Sequence, residues 1–250
     1  MKIAWESTGS GSPLLLIQGL GYGRWGWDPI VPGLDTRHLV IAFDNRGIGE
    51  SDKPDGPYTA AQMAGDALQV LDEAGIERAH VFGASLGGMI AQELAVMAPE
   101  RVDKLVLGCT TPGGPNAVPM PEVTLALFAE AASLAPEVAL RRFVENALGE
   151  SPPPDLVDEL FALRVLNPPD PAGWQAQAAA GMGFQGVDGE ITAPTLILAG
   201  TADNVVDFRN CELLAARIPG SRVELLEGCG HLFFWEQPGE CVSIINDFLG

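Results

Sequence analysis

Apolar residues recur along the chain in two alternating rhythms. Short apolar runs read as strands: Leu14–Gln18, Leu39–Phe43, Ala79–Phe82, Leu105–Gly108, Thr195–Ala199 and Arg222–Leu226. Most are continuously apolar, as strands buried on both faces of a parallel sheet are. Between them the apolar positions fall at helical spacing. In Thr59–Ala74, residues Met63, Ala67, Val70, Leu71 and Ala74 form one stripe, and Gly75 supplies a stop. Leu86–Ala98 ends before Pro99, Asn210–Ile218 ends before Pro219-Gly220, and Pro238–Leu249 opens on a proline. Strand–helix alternation predicts the α/β class, with a mostly parallel central sheet and helices on both faces.

The alternation stops between Gly113 and Val187. Only helical patterns occur there: Glu122–Leu134, Glu137–Leu148, Asp155–Leu166 and Gly173–Ala180. Proline-rich joints at Ser151–Pro154 and Asn167–Pro169 separate them, because proline ends helices and stiffens turns. A helical block that interrupts a sheet predicts an inserted cap. The expected division is a core of residues 1–112 and 188–250 with a cap of 113–187.

Composition narrows the choice of partners. The chain has 250 residues, 47% hydrophobic and 19% charged, which fits a globular fold with a substantial core. Its formal net charge of −19 argues against nucleic acid or anionic lipid as partner, since both require clustered basic charge. No apolar run approaches the roughly 20 residues of a membrane span. The start, MKIAWESTGSGS, has no long apolar region and does not read as a signal peptide. Cys109, Cys211, Cys229 and Cys241 form no CxxC pair and read as reduced thiols, so a cytoplasmic location is expected. His38, His80 and His231 are too scattered for a metal site. The expected partner is a small molecule, with no metal and no cofactor, and the chain itself is expected to be a monomer or homodimer.

The most informative stretch is His80-Val81-Phe82-Gly83-Ala84-Ser85-Leu86-Gly87-Gly88, a strand, then G-x-S-x-G, then a helix. Such a turn strains the backbone and exposes the serine hydroxyl. The helix start adds unpaired N–H groups and a positive dipole end, which suit a developing oxyanion. The serine needs a base, most often histidine. His38 and His80 begin strands and lie at the amino edge of the sheet. His231 follows the strand Arg222–Leu226, at the carboxyl edge where sites form in open α/β sheets. Asp203, just after the strand Thr195–Ala199, is the candidate third group, with Asp207 in reserve. The order Ser85, Asp203, His231 is that of Ser–acid–His triads on such sheets. The Leu86 and Leu20 N–H groups are the candidate oxyanion donors.

Two other patterns bear on function. Gly21-Tyr22-Gly23-Arg24-Trp25-Gly26 matches the dinucleotide fingerprint G-x-G-x-x-G, and Asp44 follows near the required spacing of about 20. Pro29, Pro32 and Gly33 occupy the place of its crossover helix, and Trp25 and Trp27 would crowd the pyrophosphate, so the match is set aside. No P-loop motif occurs. Trp25, Phe143, Trp174 and Phe184 are candidates for a substrate wall, with Phe161 and Met182 beside them. Arg141, Arg142 and Arg164 are candidates for holding a substrate carboxylate.

The segments Gln18–Gly21, Asp44–Asp52, Gly83–Gly88, Gly200–Asp203 and Gly230-His231 together resemble the α/β-hydrolase fold family. More narrowly they are similar to its esterase and lactonase branch, which includes 3-oxoadipate enol-lactonases. The resemblance spans nearly the whole core. It implies Ser85 as nucleophile, His231 as base, Asp203 as acid, and Leu20 and Leu86 as oxyanion donors. This chain has Gln18-Gly19 where many relatives have His-Gly, and Leu86 where methionine is common. The expected activity is cleavage of a carboxylic ester or lactone through an acyl-enzyme. The alternatives are carbon–carbon bond hydrolysis or perhydrolysis by the same triad, or a non-catalytic small-molecule receptor. Ser85 argues against haloalkane cleavage, which usually employs an aspartate nucleophile.

Overall fold

The apolar runs form the parallel part of a seven-stranded sheet. In the computed structural model, which describes residues 1–250, the strands are β1 (Trp5–Gly9), β2 (Ser12–Ile17), β3 (His38–Phe43), β4 (Ala79–Ala84), β5 (Val102–Gly108), β6 (Thr195–Gly200) and β7 (Arg222–Leu226). Their order across the sheet is β1-β3-β2-β4-β5-β6-β7. All neighbours run parallel except β1, which pairs antiparallel with β3 from Trp5–Phe43 to Gly9–Leu39. Sequence patterning misses β1, and the reason is physical. Four of its five residues are exposed, and it lies at the sheet edge, so it offers no apolar run.

The helices are α1 (Val31–Leu34), α2 (Ala60–Glu73), α3 (Leu86–Met97), α4 (Glu122–Ala131), α5 (Pro136–Asn146), α6 (Leu156–Leu166), α7 (Pro171–Met182), α8 (Asn210–Arg217), α9 (Phe233–Glu236) and α10 (Pro238–Leu249). The predicted helix 59–74 is α2 with its two end residues serving as caps. Thr59 and Gln62 form a reciprocal capping box, each bond 3.1 Å long, and Gly75 follows at φ +70°. Alternation along the strands divides the core in two. Leu15, Ile17, Ile41, Phe43, Val81 and Ile197 pack with α2, α3 and α8. Leu14, Leu16, Val40, Phe82 and Leu198 pack with Leu34 of α1 and with Cys241, Ile245 and Leu249 of α10. Helices therefore cover both faces, as expected for an α/β sheet.

Residues 109–194 contain four helices and no strand. This segment is joined to the core by specific bonds. Gln177 of α7 accepts the Gly21 N–H (3.0 Å) and donates to Arg46 O (2.7 Å), and Tyr58 N–H donates to Ala176 O (3.2 Å). Asn146 of α5 bonds Thr124 of α4 (2.7 Å), whose hydroxyl in turn reaches Asn204 O. No helix is long and apolar enough to cross a membrane.

His38 and His80 lie at the amino edge of the sheet, both buried, with rings 6.0 Å apart and perpendicular. Burial is the largest influence on each and holds both below the usual histidine range. Arg37 adds to this for His38, and His38, Lys104 and Arg78 add to it for His80, while Asn246 and Asp103 oppose it. The unfolded chain therefore takes up protons near pH 6.5 that the folded chain refuses, so this pair withdraws stability as pH falls from 6.5 toward the folded values. His80→Gln is expected to reduce the stability lost between pH 7.5 and 5.5, by at most about 1.4 kcal/mol per pH unit. Urea unfolding of both proteins at the two pH values checks this, and an unchanged loss contradicts it.

Candidate active site

The carboxyl ends of β2, β4, β6 and β7 deliver the candidate residues to one edge. Ser85 follows β4 and caps the start of α3, with φ 56° and ψ −121°, the strained turn expected of G-x-S-x-G. Its N–H donates to Gly108 O at the end of β5 (2.9 Å), and its own carbonyl accepts from the Thr110 hydroxyl (2.7 Å). The turn fits because a Cβ on Gly87 would overlap the carbonyl oxygen of Ile17, so α3 begins in backbone contact with β2. Ser85 keeps partial exposure while its neighbours are buried.

Asp203 and His231 meet directly. His231 Nδ1 lies 2.8 Å from Asp203 Oδ2, and both residues are buried. The other carboxylate oxygen, Oδ1, accepts the Val205 (2.7 Å) and Val206 (2.9 Å) N–H groups, which fixes the acid in its turn. Asp207, the reserve acid, is held instead by Arg209 through bonds of 2.9 and 2.5 Å. Cys109 follows Gly108, whose carbonyl accepts the Ser85 N–H. Ser85 Oγ makes no hydrogen bond to His231 in this structure; such contacts often form only when substrate is bound.

The loop Gln18–Gly21 runs past Ser85. A Cβ on Gly19 would stand 3.1 Å from Ser85 Cβ. Within this loop the Gly19 N–H donates to Gln18 Oε1 (2.8 Å) and the Gly21 N–H to Gln177 Oε1 (3.0 Å), which leaves the Leu20 N–H between them without a partner in the chain. Leu86 is the first residue of α3, and the first N–H groups of a helix have no intrahelical acceptor. Two N–H groups without a partner thus lie on the segments next to Ser85. Gln18 is itself buried, and its carbonyl accepts from Asn45 Nδ2 (2.9 Å).

Electrostatics bias His231 toward its charged form. Burial alone would lower its pKa, but the adjacent Asp203 carboxylate, with Cys109 beside it, raises it well above 6.5. A general base works only when neutral. The expected acid limb of kcat/KM therefore lies above pH 6.5, with the rate climbing toward alkaline pH. A pH–rate profile checks this, and a limb centred near the carboxylate range would contradict it.

The other candidates are distributed around this edge. Trp174 of α7 packs on Gly21, where a Cβ would meet the indole. Trp25 stacks near Tyr22 (5.1 Å between centroids) and Trp235 (6.4 Å). Phe143 stacks on Phe128 (5.0 Å), and Phe184 is buried with Ala176 and Ala180 in the core cluster. Phe161 lies under Arg141, and Met182 is exposed. Of the three arginines, Arg164 alone reaches the Leu20 loop, donating to Gly21 O (2.7 Å) over the Tyr22 ring. Arg141 pairs with Asp158 and Arg142 with Glu130. The Gly21–Gly26 stretch leads into a 3-10 turn, Arg24–Trp27, and no crossover helix follows it. Sequence reasoning also missed Gln177, Cys109 and Glu236. Only Glu236 carried a local signal, as a lone acid closing the apolar run Leu232–Trp235.

This arrangement defines a class. The α/β hydrolase fold family matches residues 12–238, and the chain belongs to it. It is 31% identical over 268 residues to the 2-hydroxy-6-oxononadienedioate/2-hydroxy-6-oxononatrienedioate hydrolase of Cupriavidus pinatubonensis, covering 100% of this chain and 91% of that one. It is 30% identical over 261 residues to the pimeloyl-acyl-carrier-protein methyl ester esterase of Aeromonas hydrophila, covering 100% of both. Among solved structures it is similar to the enol-lactonase of Burkholderia xenovorans LB400, with TM-score 0.81, 26% identity and coverage of 99% of this chain and 96% of that one. The chain is thus an α/β-fold hydrolase with esterase and lactonase relatives.

Proposed function

We propose that this chain is a serine hydrolase of carboxylic esters or lactones that works through an acyl-enzyme. The observation that carries the reading is the buried Asp203–His231 bond at the edge where Ser85 stays partly exposed, next to segments with two unpaired N–H groups. Ser85 Oγ attacks the carbonyl carbon and His231 takes its proton. The oxyanion forms against the Leu20 and Leu86 N–H groups, each such donor lowering the barrier by about 3–4 kcal/mol. His231 then returns the proton to the leaving alkoxide, and on the second half-reaction it activates water to release the acid.

Trp25 and Trp174 form the substrate wall in this reading, because both belong to the packing around the Gln18–Gly21 loop. Phe143 and Phe184 complete the wall in the same reading. The substrate is a small molecule, and the chain acts in the cytoplasm as a monomer or homodimer. Hydrolysis of a carbon–carbon bond by the same residues is a second reading, supported by the relative from Cupriavidus pinatubonensis. A panel of p-nitrophenyl esters, γ-lactones and vinylogous 1,5-diketones separates the two. Turnover of the esters or lactones with inert diketones supports the first reading, and the reverse supports the second.

A further inference from the structure

The histidine loop is fixed from two sides. Its early part rests on the acid's loop: Gly228 N–H donates to Thr201 Oγ1 (2.8 Å), and Ala202 N–H to Cys229 O (2.9 Å). Its later part rests on the helical segment. Leu232 N–H donates to Ala147 O (3.1 Å), and Glu150 N–H to Gly228 O (3.0 Å). The two backbones are in contact, since a Cβ on Gly230 would overlap the carbonyl carbon of Leu148. Only glycine fits immediately before His231.

One side chain spans this junction. Glu236 ends α9 and is 8% exposed. Its Oε1 accepts the Gly149 N–H (2.8 Å), and its Oε2 accepts the Gly230 N–H (2.7 Å). A buried carboxylate is tolerated when its oxygens are bonded, and charge-assisted bonds of this length are strong. One oxygen thus holds the residue before His231, and the other holds the chain just beyond α5. Burial, with the Asp203 charge adding to it, holds the Glu236 carboxyl above its usual range, and the same two N–H groups limit the rise. Asp203 fixes the imidazole about Nδ1, whereas Glu236 fixes the backbone from which the imidazole hangs. A displacement of about 1 Å at a catalytic group can cost about 100-fold in rate.

Resting on the serine-hydrolase reading, we propose that Glu236 is a positioning residue whose carboxylate clamps the histidine loop to residues 147–150, so that His231 keeps its place beside Ser85 only while the helical segment is docked. Glu236→Gln keeps one acceptor but turns an NH₂ group toward the other donor. It is expected to lower kcat by about 10–100-fold with KM within about threefold, and to slow fluorophosphonate labelling by the same factor as kcat. Glu236→Asp keeps the charge, reaches one N–H, and is expected to fall between Glu236→Gln and wild type. Wild-type rates in Glu236→Gln overturn the proposal, as does a loss confined to KM.

A wild type that neither labels nor turns over removes the hydrolase reading, and this proposal with it. A wild type active beside an unaffected Glu236→Gln removes the proposal alone. Hydrogen exchange on the wild type supplies an arm that needs no variant to fold. The Gly149 and Gly230 amides, bonded to one carboxylate, are expected to open together with equal protection. Free exchange at one beside strong protection at the other contradicts the clamp.

Discussion

Ser85→Ala is expected to lower kcat on the best ester by about 10⁴–10⁶-fold, because in the proposed mechanism it removes the atom that forms the covalent bond. Folding is expected to survive almost unchanged. The hydroxyl makes no hydrogen bond to His231, so no buried partner there is stranded by its loss. The strain at φ 56° belongs to the backbone and is the same for alanine as for serine. The shift in unfolding free energy is thus expected to stay within about 1 kcal/mol. Residual turnover would come from the Leu20 and Leu86 donors and from binding alone. Steady-state kinetics beside thermal unfolding check both halves, and near-wild-type kcat would remove Ser85 from the mechanism.

Asp203→Asn is expected to cost about 10³–10⁴-fold in kcat. Oδ1 of the new side chain can still accept the Val205 and Val206 N–H groups, so the turn persists. The atom facing His231 Nδ1 becomes an NH₂ donor. It favours the tautomer with Nδ1 unprotonated, which places the proton on the nitrogen that should receive it from Ser85. The variant also loses the charge that raises His231 above 6.5. The acid limb of its pH–rate profile is therefore expected to move to lower pH while the plateau drops. A variant with the wild-type plateau and limb would show that Asp203 does not serve His231.

These expectations rest on features of unequal visibility in the sequence. Strands β2 to β6 announce themselves because burial on both faces requires continuous apolar runs, whereas β7, mostly exposed at the sheet edge, is legible only as the short β-rich run Arg222–Leu226. Once they are placed, the residues that follow them lie on one edge, and Ser85, Asp203 and His231 can be sought there. The bond between Asp203 and His231, 28 residues apart, follows from the neighbouring positions of β6 and β7. Strand β1 is invisible because its ladder to β3 uses backbone groups and buries almost no side chain.

The partners of Gln177 and Glu236 are invisible for a related reason. Each acts by accepting an N–H from a segment brought close only by folding, Gln177 from a residue 156 positions away and Glu236 from one 87 positions away. No periodicity or motif encodes such a partner. The helical segment shows the limit most clearly. Its helices are legible from spacing, yet their aromatic residues divide between mutual packing, as in Phe143 on Phe128, and contact with the Leu20 loop, as in Trp174 on Gly21.

The central claim is that Ser85 is a nucleophile activated by His231. Incubation with a fluorophosphonate followed by peptide mass spectrometry tests it most directly. The account predicts a single phosphonyl adduct on Ser85, absent in Ser85→Ala and formed far more slowly in His231→Ala. A protein that turns over esters with Ser85 unmodified, or that labels equally fast without His231, would contradict it.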